Sequence, residues 1–227
     1  MIRRCLIVDT ETTGLDHATD RVIEVGAILY SIESRATLAS FATLIGGEGN
    51  PAENINRIPA AALQELGGIT EIKDVFKSFR SNADVIVCHN VEFDRPWFRN
   101  EWLELPWVCT AFDFDWPAAT REAGSLIHLA LEHGIGVSSA HRALNDCALI
   151  AALFDRMPLY GRDLQAMFER ALRPKGIFQA VVSFEEKDRA KERGFKWDGA
   201  TKRWTRRMAI EDSASLPFKT VLIEEVA

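Results

Sequence analysis

Long apolar runs, paired cysteines and repeats are all missing from this chain. No apolar stretch in its 227 residues is long enough to cross a bilayer, and the one after Met1-Ile2-Arg3-Arg4 is too short for a secretory signal. The expectation is therefore a cytoplasmic protein that does not engage a membrane. Only four cysteines occur, Cys5, Cys88, Cys109 and Cys147, and no two are spaced as a zinc knuckle or a redox pair. They read as reduced core residues. His128 and His133 stand five apart, which puts them on different faces of a helix and argues against a zinc pair. Internal repeats and low-complexity tracts are absent. Trp97, Trp102, Trp107 and Trp116 read as packing residues.

What is present is enough apolar material for a core, at 47% of residues, in a chain long enough for one domain and a smaller module. Charge is unevenly distributed. Residues 173–207 hold eleven Lys or Arg against five Asp or Glu, a net of +6, which leaves −12 for the rest of a chain whose total is −6. Pro174-Lys175-Gly176 marks a boundary, giving a body over 1–172 and a basic module over 173–227. In the body, strands are expected at about 3–9, 21–30, 36–45 and 84–89, with a helix around 60–81 and helices after the last strand. Three consecutive strands followed by strand and helix alternation predict an α/β fold with a mixed sheet and flanking helices.

Acidic residues stand in three short patches of the body. In the first, Cys5-Leu6-Ile7-Val8 reads as a buried strand that runs into Asp9-Thr10-Glu11-Thr12-Thr13-Gly14-Leu15. Asp9 and Glu11, two apart at the strand end, point to one face; a turn or capping cluster is the plainer alternative. In the second, the strand Asp84-Val85-Ile86-Val87-Cys88 ends at His89-Asn90, and a helix opens near Phe93-Asp94-Arg95-Pro96-Trp97, where Pro96 suits the first turn. Asp94 could equally complement the helix dipole. In the third, Asp146 falls within an otherwise apolar helix and needs a partner there, while His141 stands in the loop before it. Acids gathered without cations repel one another and raise their pKa values, so a fold that gathers these expects divalent metal.

Together the three patches resemble the motifs of the DEDDh class of DnaQ-like 3′→5′ exonucleases. The resemblance covers about residues 3–157 and includes Val22-Ile23-Glu24-Val25-Gly26-Ala27, similar to the family's second strand. Val108-Cys109-Thr110 and His141-Arg142-Ala143-Leu144-Asn145-Asp146-Cys147 resemble its exonuclease X branch. The resemblance implies a ribonuclease H-like fold, metal-holding roles for Asp9, Glu11, Asp94 and Asp146, and a general-base role for His141. It implies two Mg²⁺ or Mn²⁺ ions flanking the scissile phosphate. An imidazole's ordinary range suits proton transfer near neutral pH. Thr12, Gly14, Leu15 and His89 match positions beside the terminal nucleotide. Gly14 would let the backbone approach substrate and Leu15 would offer a base an apolar surface, although both also read as turn residues.

The implied activity is hydrolysis from a free 3′ end with release of 5′-mononucleotides, DNA being favoured over RNA. An exoribonuclease of the same class is the alternative enzyme. A nucleic-acid-binding adaptor that uses the fold as a platform is the contrasting reading, but such a platform would have no physical need for a metal cage. No pattern assigns a protein partner or a homodimer.

The basic module resembles a small unit of uncertain role appended to DNA-processing proteins. A strand is expected over 178–184, a short helix over 185–193, and a hairpin over 194–204 in which aromatics alternate with cations. Lys196, Lys202, Arg203, Arg206 and Arg207 could follow phosphates while Trp204 stacks a base. Alternatively Trp197 and Trp204 are the core of a tiny domain.

Overall fold

The computed structural model describes residues 1–65, 72–98, 104–117, 125–138 and 141–226. They form two compact units, Met1–Leu172 and Arg173–Ala227.

The first unit is built on a five-stranded mixed sheet. Its strands are β1 (Arg4–Thr12), β2 (Val22–Ser31), β3 (Ala36–Leu44), β4 (Val85–Cys88) and β5 (Trp107–Cys109), in the spatial order β3-β2-β1-β4-β5. Short connections make β1, β2 and β3 an antiparallel meander. The chain then passes through α1 (Glu53–Asn56), α2 (Ala60–Glu65) and α3 (Ile72–Ser81) before β4. A crossover of that length lets β4 return parallel to β1, and β5 continues parallel to β4. After β4 come α4 (Val91–Asp94), α5 (Leu126–Glu132), α6 (Ala143–Arg156) and α7 (Leu164–Ala171).

Each face of the sheet buries its own apolar set. Leu6 and Val8 of β1 face one way and join Val25, Ala27, Ile86, Cys88 and Phe76 of α3. Cys5 and Ile7 face the other way, into a larger core with Val85, Val87, Val108 and the inward residues of α5, α6 and α7. This period-2 division sends Asp9 and Glu11 to the α6 side. All four cysteines are free and buried.

Several expected boundaries shift. β1 extends to Thr12, so Asp9 and Glu11 lie within a strand, opposite Gly26 and Glu24 of β2, rather than at its end. The long β2 provides the pairing that continues β1. The helix expected over 60–81 is described as α2 and α3, and its middle lies outside the described residues, as does Trp102. The second-patch helix starts earlier, at Val91, and gives way to a 3-10 turn at Arg95–Trp97, because Pro96 has no N–H with which to continue the helical ladder.

The second unit holds β6 (Lys175–Ala180), α8 (Lys187–Glu192), β7 (Lys196–Asp198), β8 (Arg203–Ala209) and β9 (Thr220–Val226) in an antiparallel sheet of order β7-β8-β6-β9. Phe178, Ala180, Ala190, Phe195 and Met208 form its core, with Trp204 half-buried against them. Trp197, its cross-strand partner, stays 52% exposed. The first strand begins three residues earlier than expected, at Lys175, and ends at Ala180. Strand β9 was not anticipated, and with Glu211, Asp212, Glu224 and Glu225 it changes the charge. Residues 173–227 hold twelve Lys or Arg against nine Asp or Glu, a net of +3, half the surplus read over 173–207.

Candidate active site

Parallel strands bring their carboxyl ends to one edge of the sheet, which is where the three patches meet. Asp9 and Glu11 continue the row begun by Cys5 and Ile7 on the face covered by α6. Asp94 is the last residue of α4, the short helix after β4, and is 3% exposed. The Thr10 hydroxyl, on the opposite face of β1, donates to Asp94 Oδ1 at 2.9 Å and fixes it from behind. Asp146 sits on the first turn of α6, three residues after the buried Ala143 and next to Cys147, whose thiol contacts Ile7 O at 3.8 Å. That contact seats α6 on β1 beside the acids.

Glu11, His141 and Asp146 each offer a ligand atom within 4.8 Å of the others. His141 is exposed and has left-handed backbone, φ 58°, a region in which histidine is commoner than most side chains.

The electrostatics of the cluster are those of crowded acids. Burial, then the charges of Asp94, Asp146, Glu11 and Glu24, hold Asp9 well above the usual carboxylate range. Burial pushes Glu11 up to about 8, with Asp146 and Glu24 adding to the effect and Arg142 opposing it. Asp94 is raised to about 7 by burial against the bond from Thr10, and Asp146 to about 6 by burial against the influence of His141. Such a set gains most from a bound cation. One observation fits that occupant directly: Asp146 Oδ1 is buried and has no hydrogen-bond partner among the described residues. Carboxylate oxygens are the donors that hard divalent ions take.

The other expected contact residues lie around this cluster. Thr12 donates from its hydroxyl to Gly14 O at 2.6 Å. Gly14 lacks the positive φ of a turn glycine; a Cβ there would lie 2.4 Å from the Asp20 carboxylate, which accepts from the Thr13 hydroxyl and the Asp16 N–H. Packing inside the loop therefore requires glycine at this position, whatever approaches from outside. Leu15 is 81% exposed at the tip of that loop and is no core residue. His89 is turned to the end of β5, its Nδ1 2.9 Å from the Thr110 hydroxyl. In the second unit, Lys196, Lys202 and Arg203 are exposed, whereas Arg206 lies partly buried, donating to Arg193 O at 2.6 Å. Strand alternation places Lys196, Arg203 and Arg207 on one sheet face and Trp204 and Arg206 on the other, so the six do not form one surface.

Some residues at the site were not picked out from the sequence. Thr10 hides between the two acids of its motif. His17, from the loop after β1, packs on Trp97 with ring centroids 4.2 Å apart and bonds Phe93 O at 3.1 Å. Glu24 and Arg142 form an ion pair at 2.7 Å, and an acid inside the apolar run Val22-Ile23-Glu24-Val25 was the available signal.

Residues 6–154 match the model of a family described as exonuclease, and residues 176–223 match one described as a domain of unknown function. The DNA polymerase III subunit epsilon of Treponema pallidum is 33% identical over 162 residues, covering 66% of this chain and 74% of that protein. The PolC-type DNA polymerase III of Thermotoga petrophila is 28% identical over 170 residues, and the matched stretch spans only 12% of its length. Among solved structures, exonuclease X in complex with 5′ overhanging duplex DNA aligns with 74% of this chain and 99% of its own, at 25% identity and a TM-score of 0.56. The nuclease domain of 3′hExo, a DEDDh family member bound to rAMP, aligns at 15% identity over 72% of this chain and 95% of its own, with a TM-score of 0.56, and shares the ribonuclease H-like mixed sheet. Sheet topology and sequence match agree, and the chain belongs to the family of DnaQ-like exonucleases.

Proposed function

We propose that this chain is a metal-dependent 3′→5′ exonuclease that hydrolyses DNA from a free 3′ end and releases 5′-mononucleotides. The observation that carries the proposal is the convergence of Glu11, His141 and Asp146 within 4.8 Å, with one buried Asp146 oxygen left unpartnered. Asp9, Glu11, Asp94 and Asp146 are the residues that would hold two Mg²⁺ or Mn²⁺ ions. When bound, such ions supply charge stabilisation at the scissile phosphate and a more acidic water. His141, exposed at the mouth of the cluster, takes a proton from the attacking water. Leu15 and the backbone around Thr12 and Gly14 receive the terminal nucleotide, the exposed leucine packing on its base. DNA is favoured because the relative at 33% identity is a DNA polymerase III subunit and the neighbour at 25% identity was solved with duplex DNA.

Lys196, Lys202 and Arg203, exposed on the β7–β8 hairpin, hold a nucleic-acid strand through its phosphates, and of the two tryptophans on the opposite sheet face the exposed Trp197 rather than the half-buried Trp204 is the one open to a base.

The decisive experiment incubates 3′-end and 5′-end labelled single- and double-stranded DNA and RNA with Mg²⁺, Mn²⁺ or excess chelator. Metal-dependent release of mononucleotides from the 3′ end of DNA supports the proposal. Faster hydrolysis of RNA would turn the substrate assignment to an exoribonuclease, and the absence of hydrolysis on every substrate would leave the nuclease fold as a binding platform.

A further inference from the structure

Beside the carboxylate cluster stands an acid to which the proposed reaction gives no role. Glu24 lies on β2 directly across from Glu11 and is 3% exposed. Left ionised and unpaired, it would add to the repulsion among the four acids. Its oxygens are instead fully engaged. Arg142 Nε lies 3.2 Å from Oε1 and 3.0 Å from Oε2, Arg142 Nη2 lies 2.7 Å from Oε1, and the Ala143 N–H donates to Oε2 at 3.0 Å.

The last bond places the group. Ala143 is the first residue of α6, and its N–H is one of the orphan donors of a helix start. The residue at the cap position, Arg142, makes no side-chain capping bond, so a carboxylate from β2 caps the helix in its place. Two residues along the same strand, Gly26 meets the same helix end: a Cβ there would lie 2.5 Å from Ala143 C and from Leu144 N. The helix start therefore rests backbone against backbone on β2, held by a fork of hydrogen bonds on one side. His141 precedes this anchor by one residue and Asp146 follows it by three.

We infer that Glu24 is a positioning residue for the exonuclease reaction: its bonds to Arg142 and Ala143 fix the start of α6 and thereby set Asp146 and the His141 ring against Glu11. The inference rests on the exonuclease reading given above. Glu24 needs no contact with substrate or metal for this role, because its four bonds leave neither oxygen free. A glutamine has nearly the same volume but presents an NH₂ to a guanidinium that only donates, so it cannot accept the whole fork.

The test compares the parent with Glu24→Gln and Arg142→Ala. Steady-state kinetics are read on a labelled oligonucleotide with Mn²⁺, and hydrogen exchange on the metal-free proteins. Glu24→Gln is expected to lower kcat by about 10- to 100-fold, as a misplaced catalytic group does, with KM within about threefold of the parent. Amides 143–147 are expected to exchange more than about tenfold faster while those of β1 keep their protection. Arg142→Ala retains the Ala143 bond and is expected to fall between the two. If Glu24→Gln does not fold, the Arg142→Ala exchange pattern and its kcat against KM decide the matter alone. A parent-like kcat in both variants would overturn the inference, and so would loss of protection throughout the first unit, which would make Glu24 a general stabilising residue. An inactive parent would instead overturn the exonuclease reading, while the exchange at 143–147 would still report on the anchor.

Discussion

Replacing Asp94 with Asn should stabilise the metal-free protein while abolishing its activity. Asp94 is almost wholly buried, and its carboxyl is raised from 3.8 to about 7, first by burial. Between about pH 4 and pH 7 the folded protein holds that proton while the unfolded chain has released it. The stabilising effect of the proton is thus fully present below about pH 4 and is lost as pH rises through about 7. Three pH units correspond to about 4 kcal/mol, an upper figure, because neighbouring acids that take up protons relieve part of the strain. Asn keeps the volume and can still accept from the Thr10 hydroxyl, so the packing cost is small. At pH 8 in chelator, Asp94→Asn should gain about 2 kcal/mol, raising the thermal midpoint of the nuclease unit by roughly 4–8 °C. At pH 4 the gain should nearly vanish. Saturating Mn²⁺ should raise the parent's midpoint much more than the variant's. Calorimetry at both pH values, with and without chelator, checks each point. Equal midpoints at pH 8 in chelator, or a gain independent of pH, would refute the claim that charge crowding at this site opposes folding.

Further outcomes follow from the same geometry. His141→Ala should lower the hydrolysis rate by roughly 10² to 10⁴ while titration calorimetry still detects Mn²⁺ binding; a parent-like rate would remove the ring from proton transfer. Mn²⁺ affinity should rise between pH 6 and 8, with protons released on binding, because Asp146, Glu11 and Asp94 must give up protons held to about 6, 8 and 7. Flat affinity across that range would contradict this. Trp204→Ala should destabilise the second unit by about 3 kcal/mol, whereas Trp197→Ala should leave it folded and weaken single-stranded DNA binding in Ca²⁺ by about 1 to 3 kcal/mol. Neutralising Lys196, Lys202 and Arg203 should flatten the salt dependence of that binding by about 0.7 per lost phosphate contact, and an unchanged slope would deny them the role.

The sequence made the sheet side of the site readable because strand periodicity is local. The run Cys5 to Val8 places Asp9 and Glu11 on a common face, and the apolar face of α6 places Asp146 near the sheet. What it hid depends on partners far along the chain. Thr10 meets Asp94 across 84 positions, and Arg142 meets Glu24 across 118. Local rules also left Leu15 open between an apolar surface for a base and a core residue of the turn, and the loop packed around Asp20 leaves it exposed. Strand β9 escaped for a related reason. Val221, Leu222 and Ile223 are all substantially exposed, so no buried face marks the segment, and it forms by pairing with the free edge of β6.

The long separations within the site carry a kinetic consequence. The antiparallel meander of β1, β2 and β3 closes loops of modest length, whereas β4 and α6 reach β1 only after much longer ones. Chains of this kind tend to form short-range pairings before distant ones, so Asp94 and Asp146 are expected to join Asp9 and Glu11 late in folding. Their repulsion then acts on the native state and hardly on the transition state. Raising the pH without metal should accordingly speed unfolding and leave refolding nearly unchanged, and a bound cation should act as a brake on unfolding rather than as a guide to the fold.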